Sequence, residues 1–176
     1  MGKIFRVIKR RIKSASFCRK IKNKKSKKPV LLGKVILRQK PKVVIGNNVT
    51  FYNNVIIWGP GTIKIGNNCA IGDNTIIYAS VGGGVTIGND TLIAANTYII
   101  DQDHSFSKNE LIRKQEMKTA PIIIGNDVWI GTNTAILKGV TIGDGAVIGA
   151  NSLVNKNVSS MVVVGGSPAK IIKERN

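Results

Sequence analysis

Apolar side chains recur along most of this chain with a period of six. From residue 43 the sequence reads VVIGNN VTFYNN VIIWGP, IKIGNN CAIGDN TIIYAS and VTIGND TLIAAN TYIIDQ, and from residue 122 it continues IIIGND VWIGTN TAILKG, VTIGDG AVIGAN SLVNKN. The third residue of every hexad is a large apolar one, and the first is smaller on average. Two such positions two residues apart predict a short strand with one buried face, because alternate side chains of a strand share a face. The Gly, Asn and Asp that follow predict a turn, because they tolerate positive φ.

The spacing of the third-position residues sets the size of one coil. It is six throughout, except from Ile57 to Ile65, from Ile77 to Ile87 and from Ile99 to Ile124. Each exception follows a third hexad, so three hexads form one coil and all insertions lie at one corner of a triangular prism. The fifteen hexads therefore predict an all-β fold, a parallel β-helix of about five triangular coils, with residues 101–121 as one long extruded loop. A β-sandwich with chance spacing is the alternative.

The chain resembles the hexapeptide-repeat acyltransferases, and the resemblance covers about residues 43–176. It is most specific at PIIIGNDVWIGTNTAILKGVTIGDGAVIGANSLV and VVVGGSPAKIIKE, which are similar to segments of galactoside and maltose acetyltransferases. The resemblance implies a left-handed β-helix, a homotrimer and acetyl-CoA as the donor, bound in a groove between neighbouring β-helices.

The extruded loop begins with DQDHSF, and His104 is the only histidine of the chain. In the family a histidine at the start of such a loop is the general base, so the resemblance implies that role for His104. A neutral imidazole, with an ordinary pKa of about 6.5, suits proton removal near neutral pH. A carboxylate on the far ring nitrogen would fix its tautomer, and Asp101, Asp103 and Glu116 remain open as candidates. A solvated surface histidine is the alternative.

The resemblance also implies one acceptor residue and a set of donor residues, and position adds two aromatic residues. Asn74 aligns with an acceptor-binding asparagine, although a turn asparagine needs no function. Aromatic residues at the two smaller insertions, Trp58 and Tyr78, either stack on a sugar ring or cover the corner. The positions that match the donor groove are Gly131, Thr132, Gly149, Ala150, Lys156 and Lys173. Small residues also suit tight coils, and an exposed lysine needs no ligand.

The net charge of +18 is concentrated in the first part of the chain. Residues 1–42 hold 17 of the 27 Lys and Arg and no Asp or Glu, whereas the remainder carries a charge of only +1. Residues 2–21 place Ile4, Ile8 and Ile12 on one helical face, which predicts a basic amphipathic helix at a membrane surface that contains anionic lipid. A cap over the open end of the β-helix is the second interpretation, and a nucleic-acid arm is disfavoured.

Four segments follow from these patterns: 1–29 as the basic amphipathic segment, 30–42 as a degenerate opening coil, 43–164 as the β-helix and 165–176 as a C-terminal tail. No signal peptide, transmembrane helix or metal site is predicted, and Cys18 and Cys69 lack metal-ligand or CxxC spacing. These features predict a cytoplasmic protein with peripheral attachment to the inner face of the membrane through residues 2–28.

The sequence and the resemblance together predict acetyl transfer from acetyl-CoA to a sugar hydroxyl in bacterial surface polysaccharide, by direct transfer through a ternary complex. The basic arm departs from the galactoside and maltose enzymes, so their acceptor cannot be carried over. N-acetylation of an amino-sugar nucleotide and a non-catalytic β-helix that acts as a binding module remain the alternatives.

Overall fold

The computed structural model describes residues 29–176, which form a prism of three parallel sheets. The helix predicted for residues 2–21 lies outside the described residues. The only helical segment within residues 29–176 is a 3-10 turn, Ile112–Lys114, and no helix there has the length and apolarity needed to cross a bilayer. The predicted all-β fold of stacked coils is confirmed.

Each flat face of the prism is one sheet, and successive strands along the chain pass from face I to face II to face III. Face I contains β1 Val30–Leu31, β4 Thr50–Phe51, β7 Ala70–Ile71, β10 Leu92–Ile93, β15 Trp129–Ile130, β18 Val147–Ile148, β20 Val162–Gly165 and β21 Lys170–Glu174. Face II contains β2 Val35–Arg38, β5 Val55–Trp58, β8 Ile76–Tyr78, β11 Tyr98–Ile100, β16 Ala135–Ile136 and β19 Leu153–Val154. Face III contains β3 Lys42–Ile45, β6 Thr62–Ile65, β9 Val85–Ile87, β14 Ile122–Ile124 and β17 Thr141–Ile142.

The hexad pattern identifies the core. All fifteen third-position residues, from Ile45 to Val154, are at most 3% exposed, and the fifteen first-position residues are buried as well. Where the first position is polar, its hydroxyl donates to a backbone carbonyl: Thr97 bonds Ala94 at 2.9 Å and Thr134 bonds Gly131 at 2.8 Å. Burial of these hydroxyls therefore leaves few unmet hydrogen bonds.

Asparagine and aspartate at the end of a hexad turn the chain at the corners. Nine of these residues have positive φ, among them Asn54, Asn96 and Asn133. At the corner between faces III and I, side-chain amides also join the coils, because the Oδ1 of Asn89 accepts from the Asn67 N–H and the Oδ1 of Asn126 accepts from the Asn89 N–H, both at 2.8 Å.

The corner between faces II and III, called here the II–III corner, carries every insertion. Residues 59–61, 79–84 and 101–121 all join a face II strand to a face III strand. The predicted coil size is therefore confirmed. The strands β1 and β2 add a coil in front of the first hexad and pair in parallel with β4 and β5, and β21 ends the stack antiparallel to β20.

Candidate active site

The loop 101–121 leaves the prism as a short antiparallel hairpin. Its strands are β12, Gln102–His104, and β13, Met117–Thr119. The Ala120 N–H donates to the Asp101 carbonyl at 3.0 Å and closes the base of the hairpin. Nearer the tip, the side-chain amide of Gln115 accepts from the Ser107 N–H at 2.7 Å and donates to the Glu110 carbonyl at 2.7 Å. The loop is thus an arm with its own hydrogen bonds.

His104 ends the first strand of this hairpin and is exposed. It lies opposite Met117 in the pairing, so the two side chains share one face of the hairpin. Within residues 29–176 its imidazole has no hydrogen bond or ion pair. Both ring nitrogens therefore remain accessible from outside this chain.

The carboxylate of Asp101 is directed to other partners. Asp101 is 0% exposed, and its oxygens accept from the Ser80 N–H at 2.9 Å and from the Gly84 N–H at 2.6 Å. These donors belong to the insertion 79–84 of the preceding coil. The structure therefore gives Asp101, one of the three candidate partners of the imidazole, a role in holding that corner.

The other two carboxylates do not contact His104 either. Asp103 forms an ion pair with Lys138 at 3.2 Å. The hydrogen bond of Glu116 is made by its backbone carbonyl, which accepts from the Ser105 N–H at 3.2 Å. Asp103 directly precedes His104 and Glu116 directly precedes Met117, and side chains alternate between the faces of the hairpin. Both carboxylates thus project from the face opposite to that of His104.

Aromatic side chains cover the outer surface of face II beside the II–III corner. The rings of Trp58 and Tyr78 meet edge to face, with centroids 5.2 Å apart and an interplanar angle of 88°. Tyr78 is nearly buried, and Trp58 is half-buried. Burial, and secondarily the nearby Tyr78 hydroxyl, raises the pKa of Tyr98, so its phenol remains a neutral donor at physiological pH.

Most of the donor and acceptor candidates lie on another edge, the I–II corner between faces I and II. Asn74, Gly131, Thr132, Gly149 and Ala150 lie in turns there, and the turn between β10 and β11 separates Asn74 from the other four. The side-chain carbonyl of Asn74 accepts from the Asn54 amide at 3.0 Å, and the Thr132 hydroxyl donates to the Ala95 carbonyl at 2.7 Å. Thr132 and Ala150 are exposed, and no side chain among the last four residues is longer than threonine. This strip can accept a narrow, extended ligand against its backbone.

The backbone N–H groups of this strip differ in availability. The Gly131 N–H donates to the Ile148 carbonyl at 2.8 Å within the ladder. No such bond engages the Thr132 N–H among residues 29–176. Thr132, rather than Gly131, therefore offers a free donor at the surface.

The two lysine candidates are not close to the strip. Lys156 lies in the II–III corner, on the same edge as His104, and Lys173 lies on β21 at the end of face I; both are exposed. Lys138 was missed from the sequence, although its place in the II–III corner of the coil after the loop puts it beside Asp103. Residues 29–176 hold no group of three His, Cys, Asp or Glu side chains that could bind a metal ion.

Face II separates His104 from the strip. In the coil after the loop, four extended residues, 134–137, cross this face, a span of about 13 Å. Within one chain the imidazole and Thr132 thus lie at opposite edges of a flat sheet. A site that uses both needs a second copy of the chain.

Known proteins share this fold and much of this sequence. The family model described as "Bacterial transferase hexapeptide (six repeats)" matches residues 121–156, and "Hexapeptide repeat of succinyl-transferase" matches residues 62–100. The putative lipopolysaccharide biosynthesis O-acetyl transferase WbbJ of Escherichia coli (strain K12) is 38% identical over 68% of this chain and 64% of its own length. The putative colanic acid biosynthesis acetyltransferase WcaF of the same strain is 34% identical over 74% of this chain and 69% of its own.

A solved structure of a transferase is also similar to this chain in fold. AntD, an N-acyltransferase from Bacillus cereus in complex with dTDP and 3-hydroxybutyryl-CoA, has a TM-score of 0.78 and 26% identity, over 86% of this chain and 82% of that chain. The prism of hexapeptide coils, together with these matches, defines the class. The chain belongs to the hexapeptide-repeat transferase family, as its sequence predicts.

Proposed function

We propose that this chain is an acetyl-CoA-dependent O-acetyltransferase that modifies a sugar hydroxyl during the biosynthesis of bacterial surface polysaccharide. The relatives WbbJ and WcaF, whose names carry this chemistry and setting, support the proposal. The observation that carries it is the position of His104, an exposed imidazole with no hydrogen bond or ion pair among residues 29–176, on a hairpin that begins beside the aromatic side chains of face II.

The reaction needs a base and a donor to the developing oxyanion. His104 takes the proton of the acceptor hydroxyl as its oxygen attacks the thioester carbonyl, and it returns the proton to the departing sulfur. The Thr132 N–H of a neighbouring copy donates to the oxyanion. Asp103 positions the hairpin through Lys138, and Glu116 contributes negative charge near the base. Tyr78 and Asn74 are the acceptor contacts that we propose.

The active enzyme is a homotrimer in this proposal. Five outward residues of face II are apolar and half-buried, namely Ile56, Ile76, Tyr98, Ala135 and Leu153. The hairpin tip also exposes Phe106 at 79%, Leu111 at 58% and Ile112 at 54%. Apolar surface of this kind is typical of subunit contacts. A closed ring of copies sets the II–III corner of one against the I–II corner of the next.

The strip of small residues at the I–II corner and two lysines are the remaining candidates for binding acetyl-CoA. Gly131, Gly149 and Ala150 leave room for the pantetheine arm, and Lys156 and Lys173 supply positive charge for its phosphates. AntD binds an acyl-CoA on a similar fold. Because AntD is an N-acyltransferase, transfer to an amino sugar is the second candidate function.

Substitution of His104 tests the base. We expect His104→Ala to lower kcat by about 10²- to 10⁴-fold, with an unchanged circular dichroism spectrum. Lys108→Ala, on the same loop, is the matched control and should retain full activity. Wild-type turnover by His104→Ala would contradict the mechanism, and failure to bind coenzyme A in calorimetry would favour a non-catalytic binding module.

Mixed trimers test whether the site is shared. His104→Ala removes the base, and Ala150→Trp blocks the strip without entering the core, because Ala150 is exposed. Each variant alone should be inactive. Random co-assembly in equal amounts should restore about one quarter of wild-type activity, because each site needs an intact corner from two independent copies. No recovery would show that one chain holds the whole site.

The basic segment supplies the proposed location at the inner face of the cytoplasmic membrane. Residues 2–28 contain no acidic residue, and their cationic side chains suit a surface with anionic lipid. We expect the full chain to sediment with vesicles that contain phosphatidylglycerol, and the chain without residues 1–28 to lose most of this binding. Equal sedimentation of both would remove the membrane from the proposal.

A further inference from the structure

The charge of the chain changes sharply along the sequence. The first acidic residue is Asp73, and the nine Lys and Arg that follow residue 72 are matched by nine Asp and Glu. The whole net charge of +18 therefore lies in residues 1–72. Part of that segment, residues 29–72, belongs to the folded prism.

Four cations of the folded part lie together. Arg38, Lys40 and Lys42 surround the II–III corner of the opening coil, and Lys64 lies on the adjacent strand of face III. All four are exposed, and none has an acidic partner among residues 29–176, where the ion pairs are Asp103–Lys138 and Asp127–Arg175. We call these four residues the cationic patch.

The patch borders a concave site with an unusual backbone. Leu37, Gln39, Lys40 and Pro41 line this concavity. Gln39 and Lys40 have φ of 59° and 52°, two consecutive left-handed residues that are not glycine. Such conformations are disfavoured and persist where the surrounding fold holds them. The corner thus presents the Lys40 ammonium beside a preformed depression.

This concavity is aligned with the candidate active site. Arg38 pairs in register with Trp58, Trp58 with Tyr78, and Tyr78 with Ile100, directly before the loop of His104. Three strand spacings separate Arg38 from Ile100, which is about 14 Å. That distance leaves room for sugar rings between an anionic group on the patch and a hydroxyl at the imidazole.

We propose that the cationic patch binds the phosphate or diphosphate group of the acceptor, so that the substrate is a phosphate-linked sugar and not a free one. This inference rests on the proposed function. Arg38 and Lys40 supply the charge-assisted hydrogen bonds, and the half-buried Trp58 lies between them and the loop of His104. Binding to a flat anionic surface would not require the patch to lie at the corner that is aligned with His104, whereas binding of a phosphate-linked sugar would.

A binding experiment tests the patch without turnover. Inorganic pyrophosphate is titrated into the full chain. The variant Arg38→Gln/Lys40→Asn, which removes two positive charges, is compared with Lys34→Gln, which removes one positive charge at the other corner of the same coil. Asparagine is chosen because it tolerates positive φ. We expect the double variant to bind at least about tenfold more weakly and the control to match wild type. Equal binding by the double variant, or no binding by wild type, overturns the proposal.

Kinetics then separate the possible sources of the phosphate. For nucleotide-linked and prenyl-diphosphate-linked sugars, the double variant should raise KM about tenfold with kcat unchanged, and the linkage that is turned over identifies the source. Turnover of a free sugar should not change. If the variant loses binding to anionic vesicles but keeps wild-type KM values, the patch is a membrane surface and the proposal fails. Absence of turnover with every acceptor contradicts the proposed function. The pyrophosphate titration then still shows whether the cationic patch binds phosphate groups.

Discussion

Substitution of Asp101 distinguishes two interpretations of its carboxylate. From the sequence it is a candidate partner of the catalytic imidazole, whereas in the structure it is buried and accepts the N–H groups of Ser80 and Gly84. The perturbations are Asp101→Asn, which keeps one acceptor oxygen, and Asp101→Ala, which removes both.

The expected loss of stability follows from these contacts. A hydrogen bond to a charged group contributes about 1.5–3 kcal/mol, and a buried donor left without a partner costs about 1–3 kcal/mol. Asp101→Asn retains a hydrogen bond from one backbone N–H, but its side-chain NH₂ group then faces the other N–H, so two donors meet. We therefore expect a decrease of about 2–3 kcal/mol in the free energy of unfolding. Asp101→Ala leaves both donors unmet, and we expect about 3–6 kcal/mol.

Urea unfolding measures these values, and acetyl transfer by the folded enzyme supplies the second readout. Because the carboxylate does not contact His104 in the structure, Asp101→Asn should lower kcat less than about tenfold and leave the pH dependence of kcat unchanged. A loss of 10² or more in kcat with unchanged stability, or a displaced pH profile, would refute this reasoning and restore Asp101 as the partner of the imidazole.

Three further tests concern the stack of coils. Gly131→Ala should lower the free energy of unfolding, measured in urea, by about 1–3 kcal/mol, because its Cβ would lie 2.6 Å from the Ala150 nitrogen. Gly149→Ala should lower it less, because its Cβ would lie 3.3 Å from the nearest atom. Ile99→Ala should cost about 2–5 kcal/mol in the same assay, since Ile99 is fully buried. Burial raises the pKa of the Cys69 thiol, so in a Cys18→Ser background a thiol reagent should react only on unfolding. The unfolded thiol ionises near pH 8.5, so Cys69 favours folding below that pH and loses this contribution as the pH rises.

The core could be predicted because its signal is local. Whether Ile71 or Ile136 points inward depends only on alternation within its own strand, and the place of each insertion follows from counting hexads. The hairpin could not be predicted in this way, because QDH and MKT show no apolar alternation.

The partners of the carboxylates were also beyond a local pattern. Asp101 meets Ser80 across one coil, 21 residues away, and Asp103 meets Lys138 across the whole loop. Those separations depend on the length of each insertion and on the path of the chain around a corner. A position in the hexad therefore predicts burial well and says little about which polar groups meet.

The closing strand β21 limits how the prism can grow. Parallel stacking leaves an open edge at the end of every coil, and an identical chain could in principle continue the ladder there. Because β21 folds back antiparallel on β20 and carries Lys170, Lys173 and Glu174, the register that a further parallel coil would need is already occupied by a short charged strand. This hairpin thus blocks the edge of face I from end-to-end pairing with another copy, a contact that could lead to fibres.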